Sequence, residues 1–268
     1  MTDRALSLEA CLAFAAKTAE AAGAAILPHF RHPIDVENKL AGRGYDPVTV
    51  ADRAAETVIR DAIRRAYPGH GLLGEEHGDE KGSEPWTWVI DPIDGTKSFV
   101  LGHLHWATLI ALNDGTRPVV GVTYQPFVGE AFLALHGGPA WWQRGGERRR
   151  LHTRACPSVS EAIVATTDPR WFSGQREASA LAAATEGTRY VRYGGDCYCY
   201  TQVAMGLVDV AIETGLKPYD IQSLIPLIES AGGVVTDWKG GTCYQGGDVL
   251  ACGDPALHGK LLERLARA

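Results

Sequence analysis

Apolar residues recur at helical spacing from the start of the chain. Leu8, Leu12, Ala15, Ala19, Ala22, Ile26 and Phe30 fall on one side of a helix over residues 7–31, with Ser7 placed to cap it. Residues 33–46 are polar and Gly-rich and read as strand ends and a mobile loop. A second amphipathic helix over 48–67 groups Val50, Ala54, Val58, Ile59 and Ile63, and Pro68-Gly69 ends it. The pattern then changes to short apolar runs, 86–90, 105–112, 119–124 and 130–135, separated by turns such as Asn113-Asp114-Gly115. Short runs joined by tight turns predict an antiparallel sheet. Further strands are expected at 160–166, 188–193, 208–213, 233–237 and 247–252, and helices at 175–186, 196–207, 220–231 and 255–267. There is no internal repeat or low-complexity tract. Periodicity by itself gives a mixed α and β protein.

Composition narrows this modestly. The chain has 268 residues, 45% of them apolar, enough for one large domain or two tightly joined lobes. A formal net charge of -6 argues against a general nucleic-acid or anionic-membrane surface. The basic cluster from Arg144 to Arg150 contains Gly145-Gly146 and reads as a solvated hairpin turn, with a phosphate-steering patch as the alternative. No run approaches the ~18 apolar residues of a membrane span, and no signal peptide is evident. Cys11, Cys156, Cys197, Cys199, Cys243 and Cys252 are scattered, with no C-x-x-C, which suits neither a disulfide framework nor a zinc site. A reduced, cytoplasmic setting is the expectation. The nine histidines form no i,i+4 pair, only His29 and His32 stand at H-x-x-H spacing, and all read as structural or surface residues.

The candidate chemistry lies in Asp91-Pro92-Ile93-Asp94-Gly95-Thr96, directly after the apolar stretch 86–90. Two carboxylates and a hydroxyl at a strand end, with Pro92 and Gly95 bending the chain, are suited to a Mg²⁺ site; a solvated turn is the other reading. Gly74-Glu75-Glu76 lies upstream. Asp220 opens an apolar-periodic segment that stops at Ala231-Gly232-Gly233, and Pro47-Val48-Thr49 precedes Asp52. Taken singly, Glu75 could be a surface acid, Asp220 a helix cap and Asp52 a solvated helix position.

In this order the four motifs resemble the inositol monophosphatase family of Mg²⁺-dependent, lithium-sensitive phosphatases, over nearly the whole chain. The resemblance implies an α+β fold, a layered α-β-α-β-α sandwich, with one lobe over 1–145 and a second over 146–268. It implies a phosphate-monoester substrate, two or three Mg²⁺ ions and a homodimer, for which Trp141-Trp142 could mark the interface. By the same resemblance Glu75, Asp91, Asp94 and Asp220 are side-chain metal ligands, with Asp94 bridging, and Ile93 contributes its backbone carbonyl. Thr96 holds the nucleophilic water, Asp52 orients Thr96, and the Gly95 and Thr96 amides contact phosphate. Lys39 resembles a family lysine near the site, although the residues Gly42-Arg43-Gly44 are additional before Pro47, and a free surface lysine is equally compatible.

Within that family, Gly194-Gly195-Asp196-Cys197-Tyr198 and Pro218-Tyr219-Asp220-Ile221 are similar to the histidinol-phosphate phosphatase branch. The inositol branch usually has Trp in place of Tyr219 and a small neutral residue in place of Asp196. Histidinol phosphate carries an ammonium and an imidazole, and a cation gains from carboxylate partners where a polyol does not. Asp196 and Glu213 are the candidate partners, although Glu213 also contacts hydroxyls in the inositol branch and so does not discriminate; alternatively Asp196 caps the helix beginning there. The expected activity is Mg²⁺-dependent hydrolysis of histidinol phosphate in histidine biosynthesis. Alternatives are an inositol-1-phosphate or broad sugar-phosphate phosphatase and, outside enzymes, a phospho-ligand-binding regulator.

Overall fold

A computed structural model describes residues 6–39 and 47–268. The N-terminal part contains α1 (Leu8–Ile26), β1 (Val36–Asn38), β2 (Pro47–Thr49), α2 (Val50–Ala66), β3 (Gly71–Gly74), β4 (Gly78–Glu80), β5 (Thr87–Asp94) and α3 (Thr96–Val100). A meander follows: β6 (Ala107–Asn113), β7 (Pro118–Gln125), β8 (Glu130–Leu135), β9 (Ala140–Arg144) and β10 (Glu147–Arg150). Then come β11 (Ile163–Thr166), α4 (Gln175–Thr185), β12 (Tyr190–Tyr193), α5 (Cys197–Ala204), β13 (Val210–Leu216), α6 (Pro218–Ile221), α7 (Leu224–Ala231), β14 (Val234–Thr236), β15 (Gly247–Cys252) and α8 (Pro255–Leu265).

Two sheets organise the chain. Eight strands run in the order β10-β9-β8-β7-β6-β5-β3-β4, and five in the order β12-β11-β13-β15-β14. The large sheet is antiparallel except where β3 lies parallel to β5. Alternation along its strands sends side chains to two different cores. Trp88, Ile90, Ile110, Leu112 and Val120 pack with α1 and α2. Ala107, Leu109, Phe132 and Ala134 pack with α5, α7 and the inner face of the small sheet. Val164, Val210, Ile212, Leu250 and Cys252, on the other face of the small sheet, pack with α4 and α8. The result is the five-layer α-β-α-β-α sandwich.

Most expected elements are present, with informative differences. Ser7 caps α1, its Oγ accepting from the Ala10 amide at 3.2 Å. The helix yields at Leu27-Pro28 to a 3₁₀ turn, because proline cannot donate to the ladder. Its alanine-rich stripe, Ala15, Ala19 and Ala22, is fully buried, so the long apolar segment is a core helix of the sandwich. In α2 the buried stripe is Ala51, Ala55, Ile59 and Ile63 joined by Asp52, Glu56 and Arg60, whereas Val50 is 54% exposed. Strands β3 and β4 were not expected; they are too short to show a period and are held by pairing to β5 and to each other. The helix expected over 220–231 starts at Pro218 and is interrupted at Gln222-Ser223. Pro226 has no N–H to give the Gln222 carbonyl, and the Gln222 side chain bonds Asn113 Nδ2 and the Tyr244 carbonyl instead.

The 144–150 segment is the β9–β10 hairpin, turning at Gly145 and Gly146 with φ of 56° and 86°. Trp141 and Trp142 point to opposite faces, each half-buried against one of the two large cores. All six cysteines are buried free thiols. Residues 40–46 of the loop expected over 33–46 lie outside the described residues.

Candidate active site

The sequence places Asp91 and Asp94 three residues apart, a spacing that puts side chains on opposite faces of a regular strand. The register of β5 resolves the conflict. Asp91 pairs with Leu109 and Asp94 with Ala107, so β5 carries one extra residue there. The bulge turns both carboxylates to one place. Pro92 O accepts from Thr108 Oγ1 at 2.8 Å, and the Ile93 amide donates to Asp91 Oδ1 at 3.0 Å, which fixes the bend. Asp220 arrives from α6 in the second half of the chain, and carboxylate oxygens of Asp91, Asp94 and Asp220 lie within 4.8 Å of one another. Asp220 also accepts the Lys217 amide at 2.7 Å, so it binds back to its own helix start while facing the cluster.

Glu75 joins from the β3–β4 turn and is paired with Lys39. The Lys39 Nζ lies 2.8 Å from Glu75 Oε1 and 2.5 Å from Glu76 Oε1. Lys39 therefore stands at the site edge, and the alternative of a free surface lysine is set aside. Burial lowers its proton affinity, but the two glutamates outweigh burial and raise it.

Thr96 Oγ1 lies 3.1 Å from Ile93 O and 3.4 Å from Asp52 Oδ1, with one proton to share between them. Asp52 is no solvated helix residue. It is fully buried at N3 of α2, where its Oδ2 accepts the Thr49 amide at 2.8 Å and the Thr49 hydroxyl at 2.5 Å. Burial pushes its carboxyl up to about 6 against the pull of those bonds. Gly95 begins α3 with φ 84°, and a Cβ there would meet His105 O at 2.5 Å and Asp196 Cβ at 3.1 Å.

Burial and mutual repulsion act together on these acids. Burial, then Glu75, Asp94 and Asp220, push Asp91 well above the usual carboxylate range. Burial, then Asp196 and Asp220, do the same to Asp94, opposed by Cys197. Hard oxygen donors held together at such a cost suit a divalent cation, which would relieve both burdens. The site residues therefore fit a Mg²⁺-type ion.

Asp196 departs from the cap alternative. Its backbone is left-handed at φ 46°, ψ -136°, and its side chain makes no bond to the amides of α5. Instead Asp196 Oδ2 accepts from Ser98 Oγ at 2.8 Å. The α5 amide of Cys197 is taken by Asp94 Oδ2 at 2.7 Å. Glu213, buried on β13, accepts the Thr167 amide at 2.5 Å and the Thr166 hydroxyl at 3.2 Å, and burial pushes it up to about 7. Asp196 and Glu213 line, with the metal-type acids, one cavity of about 580 Å³ between the halves of the chain.

The lining residues missed from sequence include Lys97, Arg170 and Trp171. Lys97 Nζ sits 4.9 Å from the Trp171 ring centre, bridging α3 and the 3₁₀ turn Pro169–Trp171 at the cavity mouth. Only the position of Lys97, next to Thr96, could have flagged it.

Comparison with known proteins agrees with this architecture. A sequence profile described as the inositol monophosphatase family matches residues 7–268. The bifunctional phosphatase IMPL2 (chloroplastic) of Arabidopsis thaliana is 38% identical over 258 residues, 92% of this chain and 72% of that protein. Nus factor SuhB of Salmonella typhimurium is 35% identical over 252 residues, 92% of each chain. A histidinol-phosphatase of Mycobacterium tuberculosis is 36% identical over 222 residues, 82% of this chain and 84% of that one. An inositol monophosphatase structure from Zymomonas mobilis superposes with a TM-score of 0.85 at 34% identity, covering 97% of this chain and 99% of that one. The layered fold is thus that of the inositol monophosphatase-type enzymes. The chain belongs to the inositol monophosphatase family, and its family makes it a phosphatase.

Proposed function

We propose that the protein is a Mg²⁺-dependent phosphomonoesterase that hydrolyses histidinol phosphate. Glu75, Asp91, Asp94 and Asp220, with the Ile93 carbonyl, would hold the metal. Mg²⁺ bound there would supply a Lewis acid and a bound water of lowered pKa. The chain's own part is orientation. Asp52 holds Thr96, and the Thr96 hydroxyl, close to Asp52 and the Ile93 carbonyl, is placed to accept and aim the attacking water. Gly95, without a side chain and at positive φ, lets the turn before α3 pack directly against His105 and Asp196.

The observation that carries the substrate choice is Asp196. Its carboxylate is turned away from the helix it precedes, bonded to Ser98, and lines the same cavity as Glu213. Asp196, an acid beyond the metal ligands, favours a substrate with a cationic leaving group over a neutral polyol. The histidinol-phosphatase relative supports this choice. Inositol 1-phosphate is the second reading, favoured by the Zymomonas mobilis likeness. A non-catalytic regulator, in the manner suggested by the name of the SuhB relative, has the complete acid set against it. Phosphate release with Mg²⁺ from histidinol phosphate and inositol 1-phosphate, assayed side by side, decides between them. At least a 10-fold preference for histidinol phosphate is expected for one well-formed charged contact.

A further inference from the structure

The turn that carries Glu75 is strapped down by two side chains that never reach the cavity. It joins β3 to β4 at the outer edge of the large sheet, where hairpins are ordinarily free to fray. Here Glu56 of α2 lies beneath it. Glu56 Oε2 accepts the Glu76 amide at 2.7 Å, and Oε1 accepts the His77 amide at 3.2 Å. Arg60, one helical turn on, donates from Nε to Glu56 Oε1 at 2.7 Å, from Nη1 to Glu80 Oε1 at 2.9 Å and from Nη2 to the Gly78 carbonyl. The packing is tight enough that a Cβ on Gly74 would meet Glu56 Oε1 at 2.0 Å.

Glu56 and Arg60 are 0% and 1% exposed. A fully buried ion pair is seldom more stabilising than apolar side chains of equal size, so stability alone gives little reason for one here. Spacing supplies a reason. Asp52, Glu56 and Arg60 follow one another at four-residue intervals along the buried stripe of α2. Asp52 faces Thr96, and Glu56 faces the amides on either side of the Glu76–His77 link, immediately after Glu75.

We infer that Glu56 and Arg60 are positioning residues: α2 acts as a rigid ruler that sets the Glu75 carboxylate against Asp91 and so fixes the affinity of the site for its metal. The inference rests on Glu75 being a metal ligand. Neither Glu56 nor Arg60 touches substrate, and their effect passes through the backbone of residues 75–78.

Mn²⁺ binding to the whole protein, measured by isothermal titration calorimetry, reads this without turnover. Four variants are compared with the wild type: Glu75→Gln, Glu56→Gln, the pair Glu56→Gln with Arg60→Met, and Glu80→Gln. Melting curves in chelator give their stabilities. The paired variant removes both charges together, leaves no lone buried ion, and is expected to fold. Mn²⁺ affinity should fall about 10- to 100-fold in it, as for outer partners of metal ligands. Its kcat should recover when Mg²⁺ is saturating. If it does not fold, Glu80→Gln decides, since Glu80 is half-exposed and only its hold on Arg60 and Arg64 is lost; a fall of about 2- to 5-fold is expected there. Weakened binding in Glu75→Gln but unchanged binding in the Glu56, Arg60 and Glu80 variants overturns the inference alone. Unchanged binding in Glu75→Gln overturns the ligand assignment beneath it.

Discussion

Ser98 and Asp196 are joined beside the cavity: the Ser98 hydroxyl donates to Asp196 Oδ2 at 2.8 Å, tying α3 to the start of α5. The bond fixes the position of the Asp196 carboxylate, since the first amides of α5 are taken by Asp94 and by backbone carbonyls. Ser98→Ala should release the carboxylate from that position. The expected result is a fall in kcat/KM for histidinol phosphate of about 3- to 10-fold, through KM, the measure of one neutral-to-charged hydrogen bond. A steady-state comparison at saturating Mg²⁺ checks it.

Asp94 holds two jobs at once. It belongs to the acid cluster and accepts the Cys197 amide from the other half of the chain. Asp94→Asn keeps an oxygen for that amide but removes the charge. Turnover should drop on the order of 1,000-fold or more, with the far-UV circular dichroism unchanged. Phosphatase activity near the wild-type level would remove Asp94 from the metal set.

Gly121 on β7 lies against the break between α6 and α7: a Cβ there would meet Ser223 O at 2.1 Å. Gly121→Ala must push that break outward and move Asp220 with it. A loss of about 1–3 kcal/mol is expected, a Tm lower by roughly 2–10 °C, together with a raised Mg²⁺ requirement. Thermal melts and a Mg²⁺ titration of activity test both parts.

Acid stability should depend on Asp209. Its buried carboxylate accepts from Arg154 Nε at 2.7 Å, Arg154 Nη2 at 2.5 Å and the Ile163 amide at 2.7 Å. Burial raises its proton affinity, but these donors prevail and hold it below the usual value. A carboxyl lowered on folding contributes fully above its unfolded pKa of about 3.9 and fades as the pH falls through the lower folded value. The Tm gap between wild type and Asp209→Asn should hold steady from pH 7 to about 5 and close below about 4. A gap unchanged at pH 3 would contradict this.

Much of the site could be read along the chain because its chemistry is local. Asp91, Ile93, Asp94, Gly95 and Thr96 sit in six consecutive residues, and the bulge in β5 explains how acids three apart converge. Asp52 and Asp220 came from motif order, since each also looks like an ordinary helix-start residue. What periodicity missed are contacts made by long-range pairing. Strands β3 and β4 are three or four residues long and show no alternation of their own. The apolar pattern of α2 pointed to Val50, while the fold buries Glu56 and Arg60 instead, because they meet partners some twenty residues away at 75–80. Asp196 read as a cap because a helix does begin after it; its positive-φ backbone and its bond to Ser98 are not visible in the sequence.

The most direct test of substrate choice is the ratio of kcat/KM for histidinol phosphate to that for inositol 1-phosphate, in the wild type and in Asp196→Asn. A cation reader at position 196 predicts a wild-type ratio well above one that falls about 10- to 100-fold in the variant, with inositol 1-phosphate nearly unchanged. A wild-type ratio near or below one, or a ratio untouched by the substitution, would contradict it.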